Sequence, residues 1–412
     1  MNLYIFNENH RGTIFGIGTY VQELIFALSD SNIQITVINL LSDKMQIQFE
    51  EIKGIKYWHL PAPILELRAR SDKELRVLYF RNITYLLQLY IKDKNKLVFH
   101  LNYHRNENFA NELKKVFKCT IISVVHFSDW GFTIFDNPER LQYLLKLKEP
   151  NKFEANIQKI FEEERIDYIK SDHLICLSNY MKQILFHHYN IDLTKISVIS
   201  NGLKDMINTS INTIFLRKKW HIKQEDKIIL FAGRLDEVKG VSFLIRAFRK
   251  VLISHPESHL IIAGNGIYDF FIEEAKDISL KVTFTGLLSK EKLYELYRIA
   301  NVGVVPSLFE PFGYVPVEMM MHELPIVATA TSGLNEVVNE SCGLKVPLIV
   351  SPDKVEIDTS LLAQKIIYLL QNPEEAKRLG KNGRKRYLEK YSSEVFGKNM
   401  IAFYKSLFQE CK

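Results

Sequence analysis

The chain has 412 residues, of which 47% are hydrophobic and 25% are charged. Its length suggests two or three globular domains, and its composition excludes a chain dominated by disorder. The net charge of +6 suits phosphorylated substrates, anionic membranes or nucleic acid alike, so by itself it discriminates little among them.

The sequence has none of the usual signals for export or membrane insertion. The N-terminus lacks the charged-then-apolar layout of a signal peptide, and no apolar run approaches the roughly 20 residues that span a bilayer. The four cysteines are scattered without metal or redox spacing. Cys119 and Cys176 each sit in an apolar run of strand length, which favours buried free thiols in a reducing compartment. We therefore expect a cytoplasmic protein.

Apolar runs of strand length alternate with helical patterns through the first half of the chain. This alternation is typical of parallel β-sheets covered by helices on both faces. The predicted strands are 3–6, 33–40, 97–101, 120–125 and 173–177, and the main predicted helices are 17–28, 74–91 and 153–169.

The same alternation starts again after the turn dipeptide Asn201-Gly202. Its predicted strands are 227–232, 259–263, 281–285, 302–305 and 325–328, with a first helix at 241–252. We therefore predict two tandem Rossmann-like, doubly wound α/β domains, residues 1–203 and 204–390, that face a central cleft. In such folds ligands bind at the carboxyl ends of the strands.

An amphipathic segment, residues 391–412, ends the sequence. Its apolar residues fall on one face of a helix; they are Phe396, Met400, Phe403, Tyr404 and Leu407. Either domain could supply the surface that covers this face, and we expect the helix to pack back on the N-terminal domain.

Two cations follow the first strand of the second domain. Arg234 and Lys239 lie five residues apart in a glycine-containing turn that leads into a helix. A guanidinium can bind two phosphate oxygens at once and an ammonium adds a mobile charge, so this pair suits a diphosphate. Two solvated surface cations beside a turn are the alternative.

Two carboxylates lie eight residues apart after the strand predicted at 302–305. Glu310 falls in the loop, and Glu318 falls in the first turns of a helix whose start suits Pro316. A carboxylate can accept paired hydrogen bonds from vicinal hydroxyls, so Glu310 could hold a sugar and Glu318 a ribose. Gly313 lets the backbone approach a ligand, and N–H groups at the helix start can bind phosphate. A helix-capping role for Glu318 is the alternative.

Five motifs in one order resemble the family 4 glycosyltransferases of the GT-B fold. They are Gly233-Arg234-Leu235 with Lys239-Gly240, Ala263-Gly264-Asn265-Gly266, Phe284-Thr285-Gly286, Glu310 to Glu318 with Phe312-Gly313, and Ser332 to Val338. The resemblance covers the second domain almost completely. It implies an enzyme that moves a hexose from a nucleoside-diphosphate sugar, and family frequency favours uridine diphosphate.

The resemblance also implies roles for individual residues. Arg234 and Lys239 would hold the diphosphate, Glu318 the ribose hydroxyls and Glu310 the sugar hydroxyls. The backbone near Leu287 would hold the base. The further residues expected at the nucleotide sugar are Gly16, Gly18, Gly264, Phe312, Gly313, Tyr314 and Val315.

The first domain is less similar to the family. Residues 12–21, which include Gly16 and Gly18, follow the first strand and look like the family's glycine-rich loop, which approaches the diphosphate and the acceptor. A tight turn is the alternative for these glycines.

A histidine stands at the end of the strand predicted at 120–125. Family members similarly place a histidine that faces the donor sugar here, which makes His126 a candidate. A satisfied structural histidine is the alternative, but the position at a strand's carboxyl end favours function. His100 and His104, which we place after the preceding strand, are weaker candidates on the acceptor side.

The predicted reaction releases a nucleoside diphosphate while positive charge develops at the anomeric carbon. Arg234, Lys239 and helix N–H groups would stabilise the departing phosphate. With Glu310 and His126 these cations form the expected catalytic set, in which His126 orients the donor sugar or acceptor. The resemblance implies retention of configuration through a front-face displacement, with the departing phosphate taking the acceptor proton. No two aspartates lie two residues apart, so we expect neither an Asp-x-Asp metal site nor a cofactor.

Other functions fit the same scaffold. An epimerase would release free nucleotide and altered sugar without an acceptor, and a phosphorylase would need an added cofactor lysine that no feature indicates. A non-enzymatic nucleotide-sugar sensor would keep Glu318, Arg234 and Lys239 but need no reactive first domain. A nucleic-acid partner is not expected, because the basic residues are dispersed and match no binding module.

Residues 67–96 form a basic amphipathic segment. Its cations are Arg68, Arg70, Lys73, Arg76 and Arg81. Such a segment can bind anionic lipid, and related enzymes with lipid acceptors similarly carry one in this domain. A domain helix with one buried face is the alternative. The segment is therefore a candidate for peripheral contact with the inner face of the membrane, and the acceptor could be a glycan, a lipid-linked sugar or another hydroxyl compound.

Overall fold

The computed structural model describes residues 1–8, 16–62, 73–93, 95–102, 108–207 and 212–408. The chain forms two compact units, each assembled from segments that are distant in sequence. The first unit contains Met1–Asp129, Lys148–Gly202 and Ser393–Lys412, and the second contains Trp130–Leu147 and Leu203–Ser392.

An eight-stranded β-sheet forms the centre of the first unit. Its strands are β1 (Asn2–Glu8), β2 (Gln34–Ser42), β3 (Gln48–Ile52), β4 (Ile55–Pro61), β5 (Leu97–Leu101), β6 (Cys119–Val125), β7 (His173–Cys176) and β8 (Ile196–Val198). The order is β3-β4-β2-β1-β5-β6-β7-β8, and only β3 and β4 pair antiparallel. β5 is buried along its whole length, as expected for a parallel strand covered on both faces. The edge strand β3 is exposed throughout.

A seven-stranded sheet forms the centre of the second unit. Its strands are β9 (Lys227–Ala232), β10 (Ser258–Ala263), β11 (Val282–Gly286), β12 (Val302–Val305), β13 (Ile326–Ala330), β14 (Gly343–Val350) and β15 (Val355–Ile357). The order is β11-β10-β9-β12-β13-β14-β15, with only β14 and β15 antiparallel. The order reverses between β9 and β12, which makes this pair the topological switch point of the sheet.

The α-helices separate the strands along most of the chain. In chain order they are α1 (Gly16–Leu28), α2 (Lys73–Tyr90), α3 (Phe109–Val116), α4 (Asp129–Thr133), α5 (Pro138–Leu145), α6 (Lys152–Lys170), α7 (Asn179–His187), α8 (Thr213–Lys219), α9 (Val241–Ser254), α10 (Tyr268–Glu274), α11 (Lys290–Ile299), α12 (Tyr314–Met321), α13 (Leu334–Val337), α14 (Thr359–Gln371), α15 (Pro373–Arg386) and α16 (Ser393–Ser406). Over the described ranges, no helix has both the length and the apolar character that crossing a bilayer requires.

Each unit has its own hydrophobic core. In the first unit the ring of Phe6 meets those of Phe99 and Phe109 edge to face, with centroids 5.4 and 5.5 Å apart. In the second unit the core is mainly aliphatic, and α9 contributes Val241 and Leu244 at helical spacing. Fully burying one such side chain stabilises a fold by roughly 1.5–3 kcal/mol.

The predicted architecture of two Rossmann-like α/β units with parallel sheets is confirmed, and each predicted strand is present with ends that agree within two residues. One segment of the predicted first domain, residues 1–203, does not belong to the first unit. Residues 130–147 belong to the second unit, where the Asn137 amide donates to the Ser351 carbonyl over 2.9 Å. The Arg140 guanidinium donates to the Asp353 carbonyl over 3.2 Å. These side-chain bonds to distant carbonyls leave no local sequence pattern.

The helix α16 packs within the first unit. The Phe396 ring lies 5.7 Å from that of Tyr20, and the Tyr404 hydroxyl is 2.9 Å from Nδ1 of His100. A Cβ atom on Gly397 would lie 2.8 Å from the carbonyl oxygen of Ala27, so glycine here lets α16 approach α1 closely. The apolar face of the last helix is therefore covered by the first unit's own elements.

Candidate functional site

The loops after β9 and β12 lie side by side at the switch point of the second sheet. Residues 302–303 pair directly with residues 229–230, so the carboxyl ends of the two strands are adjacent. Open α/β sheets bind their ligands at this position. The two loops carry three of the four charged residues that the sequence assigns to a donor, namely Arg234, Lys239 and Glu310. The fourth, Glu318, lies in α12, the helix that follows the second loop.

The two loops are joined through their backbones. The Leu308 N–H donates to the Val238 carbonyl over 2.7 Å. Gly240 has a φ of +68° at the start of α9, and a Cβ atom there would lie 1.9 Å from the Pro306 carbonyl oxygen. Only glycine combines this backbone conformation with so close an approach. The loops therefore hold one another in a fixed position.

Arg234 lies between an aromatic ring and a carboxylate. Its guanidinium carbon is 5.7 Å from the centroid of the Phe132 ring, and one of its nitrogens is 3.1 Å from Asp236. The side chain is 45% exposed, so the ion pair contributes at most about 1 kcal/mol to stability. The contacts direct the guanidinium while leaving much of its surface open to a ligand.

Lys239 and Glu310 form a largely buried ion pair. The lysine Nζ lies 2.5 Å from Glu310 Oε2, and each side chain is only 16% exposed. The Asp236 carboxylate accepts a hydrogen bond from the Lys239 backbone N–H over 3.1 Å, which fixes the turn. The residues predicted for the diphosphate and for the sugar hydroxyls are thus brought together, each neutralising the charge of the other.

Glu318 is almost completely buried in the first turns of α12. The Tyr297 hydroxyl donates to Glu318 Oε2 over 2.9 Å, and the Tyr294 hydroxyl lies 3.5 Å from Oε1. Burial, and then the nearby Glu318 carboxylate, raise the pKa of Tyr297 well above its ordinary value. Gly313, with a φ of +96°, precedes the helix, and a Cβ atom there would lie 2.9 Å from Pro316 Cγ.

The other predicted donor-site residues of the second unit lie around these charges. Gly264 follows β10, and a Cβ atom there would lie 1.7 Å from the carbonyl oxygen of Gly233, so its glycine is also required by packing. Leu287 follows β11 and is 58% exposed. Phe312 is buried, whereas Tyr314 and Val315 are partly buried in the first turn of α12. Within the described ranges, no three His, Cys, Asp or Glu side chains form a group suited to a metal ion.

The segment 130–147 supports the loop after β12, which sequence reasoning did not anticipate. The ring of Phe132 meets that of Phe309 edge to face at 5.0 Å, next to Glu310. The Ser332 hydroxyl donates to the Asp136 carboxylate, and both residues are buried. An aromatic residue in a short helix carries no signal of such a role, so only the fold could identify it.

His126 directly follows β6 in the first unit and is buried. Its Nε2 lies 3.3 Å from Asn102 Oδ1, and the Asn102 amide donates to the Phe6 carbonyl over 3.2 Å. Because a carbonyl only accepts, this second bond fixes the amide orientation, so that Oδ1 faces the histidine and Nε2 carries the proton. The Tyr20 ring meets the imidazole edge to face at 4.8 Å. The strand-end position predicted for His126 is therefore present.

His100 lies within β5 and is completely buried, which contradicts an acceptor-side role. Tyr20 contacts its Nε2 at 3.2 Å and Tyr404 contacts its Nδ1 at 2.9 Å. Burial lowers the pKa of His100 to about 3, against a smaller raising effect of a hydrogen bond with Asn102. The neutral imidazole is thus a structural bridge between α1 and α16.

The remaining predictions for the first unit have mixed outcomes. Gly16 and Gly18 open α1, with Gly16 exposed and Gly18 buried, whereas His104 lies outside the described residues. In the basic segment, Arg76 is fully buried and lies 2.7 Å from the Glu8 carboxylate. A buried ion pair cannot face lipid, so the expected membrane role is wrong for this residue. Arg68 and Arg70 also lie outside the described residues.

Two family models match the chain. One, described as Glycosyl transferases group 1, matches residues 212–386, and the other, described as Glycosyltransferase Family 4, matches residues 14–205. The chain belongs to the family 4 glycosyltransferases of the GT-B type. The second match covers most of the first unit.

Individual relatives agree with this assignment. The glycosyltransferase chain is 30% identical over 249 residues to an uncharacterized glycosyltransferase of Methanocaldococcus jannaschii. That stretch covers 59% of this chain and 62% of the relative, so the chain spans about three-fifths of the length of this curated protein.

Two solved structures share the fold over almost the whole chain. A sucrose-phosphate synthase from Thermosynechococcus elongatus has a TM-score of 0.79 at 21% identity, with 99% of each chain covered. An Anabaena protein solved in complex with UDP-glucose has a TM-score of 0.70 at 14% identity, with 98% of this chain and 100% of that chain covered. At these identities the likeness concerns the fold.

Proposed function

We propose that this chain is a retaining glycosyltransferase that moves a hexose from a UDP-linked sugar to a hydroxyl acceptor without a metal. The observation that carries the proposal is the collection of two cations and two carboxylates at the switch point of the second sheet. A nucleotide sugar needs both kinds of group, cations for its diphosphate and carboxylates for its hydroxyls.

The charges of the site suit a leaving group that gains negative charge. As the bond between the anomeric carbon and the β-phosphate oxygen breaks, Arg234 and Lys239 would stabilise the developing charge. The N–H groups at the start of α12 would add to this stabilisation. The phosphate oxygen would take the proton of the acceptor hydroxyl as the new glycosidic bond forms on the same face. Glu310 would meanwhile hold the sugar hydroxyls and Glu318 the ribose.

Support for uridine as the base comes from the Anabaena protein of like fold, which was solved with UDP-glucose. The acceptor is proposed only as a hydroxyl compound. Because a sucrose-phosphate synthase shares the fold, an acceptor panel should include sugar phosphates beside glycans and lipid-linked sugars.

The central test measures donor binding by calorimetry and donor hydrolysis by nucleotide release, using UDP-, GDP- and ADP-sugars. Selective binding of one donor is expected. Glu318→Gln and Lys239→Met should each weaken it by roughly 10- to 100-fold, the effect of losing one charged hydrogen bond. Glu389→Gln removes an exposed carboxylate and should leave affinity unchanged. If no nucleotide sugar binds, or if Glu318→Gln and Lys239→Met both bind like the wild type, the proposal is wrong.

Three further measurements examine the finer parts of the proposal. NMR of the newly formed product should show the anomeric configuration of the donor. Turnover should be equal in EDTA and in Mg²⁺. Release of an altered sugar without acceptor would identify an epimerase, and tight binding without any turnover would identify a sensor.

His126 is proposed to orient the donor sugar or acceptor. His126→Ala should lower turnover while leaving nucleotide affinity within about twofold, because the nucleotide would be held by the second unit. Full turnover in this variant would remove His126 from the mechanism.

A peripheral membrane contact is a separate proposal, supported by the exposed apolar residues Leu78, Tyr85 and Leu89 beside Arg81 on α2. Co-sedimentation with anionic vesicles should occur and should weaken in Arg81→Glu. Absence of binding to vesicles that contain anionic lipid would end this proposal.

A further inference from the structure

Two tyrosines of α11 face the carboxylate of Glu318. Tyr294 and Tyr297 are three residues apart, so they lie on the same side of the helix. Their hydroxyls reach the two oxygens of Glu318, at 3.5 Å from Oε1 and 2.9 Å from Oε2. The bond from Tyr297 is the shorter and the more deeply buried, since this tyrosine is 1% exposed.

His322 packs against both tyrosine rings. Its Nδ1 lies 2.8 Å from the Glu318 carbonyl oxygen, and because that oxygen only accepts, Nδ1 donates. The imidazole centroid is 4.7 Å from the Tyr294 ring and 5.5 Å from the Tyr297 ring. Burial lowers the pKa of His322 to about 4, so it is neutral at neutral pH. The rings and the carboxylate therefore form one packed polar group.

A carboxylate that binds vicinal hydroxyls must present its acceptor atoms in one orientation. The terminal torsion of a glutamate is broad, so the backbone of α12 alone does not define that orientation. A fixed donor on one oxygen selects one rotation of the carboxylate. In this chain the Tyr297 hydroxyl supplies that donor, from a helix that is independent of α12.

We propose that Tyr297 is a positioning residue, whose hydroxyl orients the Glu318 carboxylate toward the ribose hydroxyls of the donor nucleotide. This inference rests on the proposed function, in which Glu318 binds the ribose. If it is correct, removing the Tyr297 hydroxyl weakens the binding only of nucleotides that carry ribose hydroxyls.

A cycle that changes both the protein and the ligand tests this assignment. Calorimetry gives the dissociation constants of UDP and 2′,3′-dideoxy-UDP, or the equivalent pair for the nucleotide that the donor panel selects. The proteins are wild type, Tyr297→Phe, Tyr294→Phe and Glu318→Gln. Phenylalanine keeps the ring and its packing, and thermal melting checks that each variant folds.

The wild type should bind UDP roughly 10- to 100-fold more tightly than the dideoxy nucleotide, and Glu318→Gln should abolish this preference. Tyr297→Phe should weaken UDP binding about 5- to 20-fold and change dideoxy binding less than twofold. Tyr294→Phe, which loses the longer contact to Glu318, should change UDP binding less than threefold. In turnover, Tyr297→Phe should raise KM for the donor and leave kcat within about twofold.

Two outcomes would overturn the assignment, each in a different way. Equal weakening of both nucleotides by Tyr297→Phe would show a purely structural role, provided that Glu318→Gln still abolishes the ribose preference. If Glu318→Gln leaves the ribose preference intact, the proposed function at Glu318 fails, and the role of Tyr297 fails with it.

Discussion

His100 connects two helices of the first unit through an imidazole that is sealed from water. Both of its ring nitrogens contact tyrosine hydroxyls, at 3.2 Å from Tyr20 and 2.9 Å from Tyr404. A tyrosine oxygen can also accept, so these partners do not forbid an imidazolium. What opposes protonation is burial, which lowers the pKa to about 3. Acid should therefore destabilise the first unit through this residue.

The sign and size of the effect follow from linkage. In the unfolded chain a histidine has a pKa near 6.5, so below that pH the unfolded state binds a proton that the folded state excludes. The contribution of His100 is thus complete above pH 6.5 and is lost as the pH falls toward 3. One pKa unit corresponds to about 1.4 kcal/mol, so the loss reaches about 2 kcal/mol at pH 5.

The assay is urea unfolding of wild type and His100→Gln at pH 7.5, 6.0 and 5.0, followed by tyrosine and tryptophan fluorescence. At pH 7.5 the variant should be less stable, because glutamine cannot bridge both hydroxyls. The difference in unfolding free energy should then shrink by about 2 kcal/mol at pH 5. In the control His221→Gln, at an exposed site, the unfolding free energy should differ from that of the wild type by the same amount at all three pH values. A constant difference between wild type and His100→Gln across this range would refute the reasoning.

Three other substitutions give equally definite expectations. Gly264→Ala places a Cβ atom 1.7 Å from a carbonyl oxygen, so it should lower the melting temperature and weaken donor binding; an unchanged melting curve would contradict the packing described. Phe132→Leu removes the ring beside Arg234 and should weaken donor affinity, measured by calorimetry, about two- to fivefold. Phe132→Tyr keeps an aromatic ring at this position and should bind the donor like the wild type. Arg76→Met removes a guanidinium from a buried carboxylate and should cost about 3–5 kcal/mol in urea unfolding, most of it regained in the double variant with Glu8→Gln; equal stability of the single and double variants would argue against this pairing.

Much of the fold could be predicted because parallel strands have a simple signature. Strands such as β5 and β12 are buried on both faces, so they read as short, continuous apolar runs. The pair β3 and β4 lacks this pattern, since β3 is exposed along its length and owes its position to pairing with β4. Local sequence therefore predicts the interior of each sheet better than its edges.

The candidate site could be predicted as a set of charges but not as an arrangement. The sequence places Lys239 and Glu310 in loops after two different strands. It does not indicate that the two side chains form an ion pair at 2.5 Å. The contacts from Tyr297 and Phe132 come from separate helices, α11 and α4. Their positions depend on how the helices pack, and no local pattern encodes that.

The interleaving of the two units along the chain affects how the protein is made. Residues 130–147 emerge from the ribosome before any strand of the sheet in their own unit has been synthesised. The first unit in turn lacks α16 until the entire second unit has emerged. Neither unit can therefore reach its final structure while the chain is still half made, and the buried ring of Tyr20 lacks its contact with Phe396 until the end of translation. Cutting the gene at the boundary near residue 203 would divide each unit from part of itself.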